Sequence, residues 1–187
     1  MIGSKWNAIY SQKKGRPTAA KVLIDNQHLL PKRGAALDLA CGQGGNALLL
    51  AKLGLDVHAW DLSSVAIEQL QKYADGEALL INAQVRDVIQ HPPAENSLDI
   101  IVVSFFLDRS LCPLLLRALR PKGLVFYQTY CQDKVREQGS RNPEFLLADN
   151  ELLHLFSGIK LRVYREEALL GLHDKGWRNQ TLLVGEK

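Results

Sequence analysis

A doubly wound α/β sheet of seven mostly parallel strands, with helices on both faces, is the fold that the sequence predicts. Three observations carry it. Residues 35–62 read as strand, glycine turn, helix, strand and acid. Residues 97–104, Ser-Leu-Asp-Ile-Ile-Val-Val-Ser, hold a continuous apolar centre, as a strand buried on both faces requires. Strand-like and helix-like segments alternate along much of the 187 residues, which is how a parallel sheet with helical crossovers is written.

In chain order, Trp6 to Tyr10 has the spacing of a short amphipathic turn. Lys13, Lys14, Gly15, Arg16 and Pro17 follow as a basic loop, either a solvated surface or a flap over a ligand. Thr18 is placed to cap a helix whose face is Ala19, Val22, Leu23 and Asn26. That helix ends near His28, where a cation would meet the negative end of the dipole. Pro31 and Gly34 close the segment. Ala36 to Ala40 is the first strand, and Gly42, Gly44 and Gly45 permit a tight turn and close approach of a ligand to the backbone. Asn46 to Leu53 is helical and stops at Gly54. Leu55 to Trp60 is the second strand, with Asp61 at its carboxyl end. Open α/β sheets bind ligands in the crevice outside these strand ends. A carboxylate about 20 residues past the first glycine can accept both hydroxyls of a ribose. Gly42, Gly44 and Ala47 also satisfy the G-x-G-x-x-G/A pattern of dinucleotide sites, so the glycines alone leave the cofactor open.

The block Leu37-Asp38-Leu39-Ala40-Cys41-Gly42-Gln43-Gly44-Gly45-Asn46 resembles the first motif of class I methyltransferases that use S-adenosylmethionine (SAM). With Trp60-Asp61 after it, the chain is more narrowly similar to the small bacterial tellurite-resistance-type methyltransferases. The resemblance implies one SAM-binding domain over residues 1–187, with residues 1–30 covering the site, and a sheet that closes on a C-terminal antiparallel strand. It implies SAM as cofactor and S-adenosylhomocysteine as product. It assigns the cofactor's amino group to Asp38, its methionine part to the loop from Ala40 through Gly42 and Gly44 to Asn46, and its ribose to Asp61 beside Leu62. The adenine edge goes to Asp87 and Val88. Ser104 faces the space between cofactor and acceptor. Trp6 and Tyr10 match an amino-terminal Trp-x-x-x-Tyr segment that lies beside the site in that family.

After Asp61, Ser63 or Ser64 caps a helix with Ala66, Leu70 and Tyr73 on its inner face. Glu77 to Asn82 reads as the third strand. The fourth, Ser97 to Ser104, delivers Phe105 and Phe106 at its carboxyl end, one as a wall of the site and the other as core. Asp108 and Arg109 open a helix through Leu111, Leu114, Leu115 and Leu119. Arg120 to Gly123 is a turn, and Leu124 to Tyr130 the fifth strand. Cys131 to Asn142 is polar, a lid or a loop. Asp149 or Asn150 starts a helix through Phe156. Ile159 to Arg165 and Thr181 to Val184 are the last strands.

Between those strands lie His173 and Arg178, the expected catalytic pair. Histidine titrates near neutrality and can take a proton from a thiol, selenol or oxyanion acceptor. Gly171-Leu172-His173 matches in part a Gly-Glu-Leu-His segment of the tellurite-resistance family, with Arg178 downstream. Arg109 and Arg141, like Arg178, have the chemistry of an anion clamp. The family carries arginine after the second loop glycine and this chain carries Gly45, which removes a cation that an oxyanion substrate would use. The acceptor expected is a small molecule, a thiol or chalcogen compound; the alternatives are a methyltransferase acting on RNA or protein and a non-catalytic SAM-binding protein.

The remaining properties exclude classes. A net charge of +3 and an isoelectric point of about 8.8 are too weakly basic to indicate nucleic acid. No apolar run approaches 18 residues, so no membrane span is expected. Cys41, Cys112 and Cys131 form no metal-ligand spacing and read as reduced thiols of a cytoplasmic protein, a monomer or homodimer. A nicotinamide-dependent reductase, the alternative from another class, would use a Tyr-x-x-x-Lys pair or a second domain; Tyr10 and Tyr130 each have lysine four residues on, at Lys14 and Lys134, so that spacing leaves the alternative open.

Overall fold

This computed structural model describes residues 2–187. Seven strands form one sheet in the order β3-β2-β1-β4-β5-β7-β6: β1 Ala35–Leu39, β2 Asp56–Asp61, β3 Ile81–Val85, β4 Leu98–Ser104, β5 Leu119–Tyr130, β6 Lys160–Arg165 and β7 Gln180–Glu186. Strands β1 to β5 pair in parallel. β7 runs antiparallel between β5 and β6. Strand order reverses between β1 and β4, so the ligand crevice of such a sheet falls at their carboxyl ends. Register fixes what meets there. Leu39 is level with Trp60 on one side and Val103 on the other, which brings Ala40, Asp61 and Ser104 to the same edge.

Alternation of side chains across each strand divides the core in two. One face holds Ala36, Val57, Ile100, Val102 and Phe126 under Val22, Leu23, Leu50 and Leu70. These come from the helices α2 Lys21–Asn26, α3 Gly45–Lys52 and α4 Ser64–Gly76. The other face holds Leu37, Leu39, Ile101, Val103 and Tyr127 under Leu111, Leu115, Leu152 and Phe156, from the segment around α5 Cys112–Ala118 and α6 Glu151–Leu155. A fully buried leucine or isoleucine contributes about 1.5–3 kcal/mol, and most of the residues just named are entirely buried.

The structure differs from the sequence reading at four elements. Residues 2–12 form a full helix, α1, rather than a short turn at Trp6 to Tyr10, because it packs on the start of α4. Asn7 Oδ1 accepts from Ser63 Oγ at 2.7 Å, and Gln69 Nε2 donates to the Tyr10 carbonyl at 3.1 Å. Thr18 caps nothing. α2 begins at Lys21 with Ala20 in the capping position, and distant side chains take its first N–H groups: Asn46 Oδ1 accepts from Ala20 N and Gln128 Oε1 from Val22 N, both at 2.8 Å. The third strand is Ile81–Val85, not Glu77 to Asn82. α4 continues to Gly76, and Leu79 N bonds back to the Ala74 carbonyl. Leu79 and Leu80 mimic a strand, but Leu80 is 92% exposed. Finally, β5 starts at Leu119 and takes in the Arg120 to Gly123 turn, with an irregularity in its pairing to β4 there. Ser63, not Ser64, caps α4, accepting from Ala66 N at 3.2 Å.

Candidate functional site

The crevice is built by the loop from Ala40 to Gly44 and the residues it touches. Ala40, Gly42 and Gly44 have φ of 53, 54 and 78°, the left-handed region that costs an alanine but not a glycine. Cys41 N donates to the Trp60 carbonyl at 3.0 Å and Gly44 N to the Cys41 carbonyl at 2.9 Å. Asp61 locks the loop: its carboxylate accepts from Gly42 N and from Ser63 N, each at 2.8 Å. Burial raises the Asp61 pKa above its ordinary value despite these bonds, and the nearby Lys13 pulls it back.

Asp38 is fully buried on β1. It accepts from Asn46 Nδ2 at 3.1 Å and from Ala47 N at 3.0 Å. Burial is the largest cause of a pKa pushed up to about 7, and the charge of Asp61 adds to it; the two hydrogen bonds work the other way. A carboxylate that stays costly to ionise is one to which a bound cation is worth most. Asn46 joins the parts, since Nδ2 also donates to Ser104 Oγ at 3.0 Å. One asparagine thus ties β1, the end of β4 and the start of α2 to the first turn of α3.

α1 lies over this loop. A Cβ on Gly42 would sit 2.6 Å from the Tyr10 hydroxyl. Burial raises the Tyr10 pKa, with Asp61, Cys41 and Asp38 adding to the rise. A Cβ on Gly45 would land on the backbone carbonyl of Thr18. Backbone cannot move aside as a side-chain tip can, so the chain entering α2 requires glycine here. Gly45→Ala is expected to cost about 1–3 kcal/mol, read as a lower melting temperature; an unchanged melting temperature would contradict the close approach.

The structure gathers Asp38, Ala40, Gly42, Gly44, Asn46, Asp61, Leu62 and Ser104 at one edge. Asp87 and Val88 lie in the turn after β3. Asp87 Oδ1 accepts from Ile89 N and Gln90 N at 3.0 and 3.2 Å, and its other oxygen has no partner among the described residues. Val88 is buried with Trp60 and Leu98.

His173 and Arg178 lie apart from that group, in the β6–β7 connection, and no hydrogen bond joins them to it among the described residues. His173 is exposed, with Nε2 at 2.7 Å from the Leu169 carbonyl. A carbonyl only accepts, so Nε2 carries the hydrogen in this contact, and Nδ1 has no hydrogen-bond partner among the described residues. Arg178 is engaged within its own loop: its guanidinium donates to the carbonyls of Lys175, Glu167, Ala168, Leu170 and Leu172. That corrects its reading as an anion clamp, because every nitrogen already holds backbone. Arg109 is likewise taken, by Glu151, at 2.5 and 3.0 Å, and by the carbonyls of Glu144 and Leu146. Arg141 pairs with Glu137 at 3.1 Å.

Two residues that organise the site were not singled out in the sequence. Gln128 is buried on β5 and holds Val22 N and, through Nε2, Gln180 Oε1 at 2.7 Å. Asn179 holds the polar 131–142 segment, accepting from Val135 N at 2.8 Å and donating to Gln138 Oε1 at 3.1 Å. An amide inside an apolar strand was the available signal for Gln128; Asn179 offered none. Among the described residues no group of three or more His, Cys, Asp or Glu is placed to hold a metal ion, and no helix is long and apolar enough to cross a membrane.

With this geometry in view, comparison with known proteins is informative. The family described as "Tellurite resistance protein TehB" matches residues 5–173. A probable S-adenosyl-L-methionine-dependent methyltransferase TehB of Haemophilus influenzae is 36% identical over 86 residues, 45% of this chain and 30% of that protein. The chain therefore matches less than a third of that relative's length. The crystal structure of TehB from Haemophilus influenzae superposes with a TM-score of 0.76 at 23% identity, covering 97% of this chain and 67% of that one. A SAM-dependent methyltransferase from Methanosarcina mazei gives 0.69 at 18% identity, over 91% and 99%. At these identities the superpositions establish the fold, a Rossmann-like methyltransferase sheet.

Proposed function

This chain belongs to the TehB family of tellurite resistance proteins, and on that premise we propose that it binds SAM at the crevice and transfers the methyl group to a small thiol or other chalcogen acceptor. We read residues 1–187 as one domain whose first 30 residues cover that site. The observation that carries the reading is the alignment of Asp38, the Gly42 loop and Asp61 at the carboxyl ends of β1 and β2. The residues present fit the cofactor's groups. Asp38, buried and reluctant to ionise, suits a ligand ammonium. Asp61 spends one bond per oxygen on backbone N–H groups, and a carboxylate has about four acceptor sites, which leaves capacity for a ribose diol. The unpaired oxygen of Asp87 suits an adenine amino group, with Val88 and Leu62 alongside.

The bound cofactor supplies an electrophilic methyl on a sulfonium. The chain's own contribution is to orient it through Asp38 and Asp61, to limit water at the loop through Tyr10, and to take up a proton. His173 Nδ1 is the nitrogen proposed for that task. Because the loop carrying it is braced by Arg178, Arg178 positions the base rather than touching the acceptor.

His173→Ala is expected to slow thiol methylation by about 10²-fold at pH 7, the usual scale of a general base. The deficit should shrink above pH 9, where thiols of pKa about 8.5 ionise unaided. Label transfer from methyl-labelled SAM to thiols, selenite and tellurite checks this. Equal rates for variant and wild type at pH 7 would remove His173 from the mechanism.

A further inference from the structure

Phe105 stands out at the carboxyl end of β4. Its φ is 57°, an outlier for an aromatic residue that costs of order 1–3 kcal/mol and persists only where the surroundings impose it. They do: Phe105 N donates to the Gln128 carbonyl at 2.8 Å, and Gln128 is itself fixed on both sides. The result is that Phe105 is turned out of the core, 46% exposed, while its neighbour Phe106 packs into it. The Phe105 ring meets Tyr130 with centroids 5.1 Å apart. Tyr130 ends β5, the strand beside β4. The hydroxyls of Tyr73, Tyr127 and Tyr164 bond to Gly15, Phe106 and Glu166. That of Tyr130 has no partner among the described residues. The backbone of Gly139 closes on the Tyr130 ring, so the pair has the 131–142 segment on one flank and the crevice on the other, one residue from Ser104.

We propose that the Phe105–Tyr130 pair is the acceptor-binding wall, and that the acceptor it selects is a neutral thiol bearing an apolar or aromatic substituent rather than a hydrated oxyanion. The inference rests on the methyl-transfer reading above and narrows its acceptor class. Two sets of facts favour it. Aromatic faces attract polarisable sulfur and stack on apolar groups, and this pair is strained into an exposed position. Two of the guanidinium groups suited to an oxyanion, Arg109 and Arg178, are engaged with the protein's own carbonyls and carboxylates, Arg141 lies on the exposed surface with Glu137, and the loop carries Gly45, which the Thr18 carbonyl prevents from being anything larger.

The test is equilibrium binding to the protein saturated with S-adenosylhomocysteine, using benzyl methyl sulfide, dimethyl sulfide and selenite as probes. Phe105→Gly is the informative variant, because glycine accepts the left-handed backbone without strain and the lost side chain is half exposed. Wild type is expected to bind benzyl methyl sulfide at least tenfold more tightly than dimethyl sulfide and not to bind selenite at millimolar concentration. Phe105→Gly should lose that tenfold preference while its Kd for S-adenosylhomocysteine stays within twofold. An unchanged preference in the variant, no preference in wild type, or tighter binding of selenite than of the sulfides would each overturn the proposal and leave the cofactor reading intact. Failure of wild type to bind S-adenosylhomocysteine at all would overturn both.

Discussion

Asp61→Ala is expected to weaken binding of S-adenosylhomocysteine at least a hundredfold. Two bonds from a ribose diol to a carboxylate contribute about 1.5–3 kcal/mol each, so each is worth at least the roughly tenfold step of 1.4 kcal/mol. A second loss adds to it. Asp61 also holds Gly42 N and Ser63 N, so its removal leaves two donors to find water and loosens the loop that the ligand's backbone contacts need. Leaving such donors unmet costs about 1–3 kcal/mol each, so the melting temperature should fall as well. Asp61→Asn keeps one acceptor oxygen and the shape, and should give an intermediate affinity. Titration calorimetry separates the outcomes. A Kd within threefold of wild type for Asp61→Ala would show that the ligand is not held by its ribose at this edge.

The second large effect concerns pH. Asp38 has a folded pKa of about 7 against an unfolded value near 3.9. Between those values the folded state binds more protons than the unfolded one, so stability falls as pH rises. The contribution is fully present below the unfolded pKa and lost as pH passes the folded one. At about 1.4 kcal/mol per unit, several kcal/mol of pH-dependent stability reside in one side chain, and Asp61 adds in the same direction. Asp38→Asn should therefore gain in melting temperature relative to wild type as pH goes from 5 to 8. Ligand binding has the opposite sign. A ligand ammonium needs Asp38 ionised, so affinity for S-adenosylhomocysteine should fall up to tenfold per unit as pH drops below 7 in wild type. It should stay flat in Asp38→Asn. A flat profile in wild type would separate Asp38 from the ligand's amino group.

The central block of the chain was readable because several signals agree there: apolar strands, glycines at positive φ and a carboxylate after the second strand all require the same turn. The antiparallel β7 followed from the resemblance of that block to a known family, not from its own residues. What escaped the sequence lies where tertiary contacts override local preference. Thr18 has the chemistry of a cap, yet α2 is capped from Asn46 and Gln128, residues 26 and 106 positions away that no local pattern could name. β3 is an edge strand with a mostly exposed face, so it lacks the apolar run that marked β4, and the Leu79-Leu80 pair drew the eye instead. In the site, Asp38 and Asp61 were legible as acids at strand ends. Arg178 was not legible as a brace, because one guanidinium gathering five carbonyls depends on how a loop folds back on itself.

The most direct test of the account is the wild-type arm of the titration, with S-adenosylhomocysteine beside NAD and NADP. Micromolar binding of S-adenosylhomocysteine and none of either dinucleotide is the result that the proposed reading predicts, in which Asp38 serves the ammonium and Asp61 a single ribose. Binding of NAD or NADP in its place would make the Gly42 loop a dinucleotide site and contradict the methyl-transfer reading.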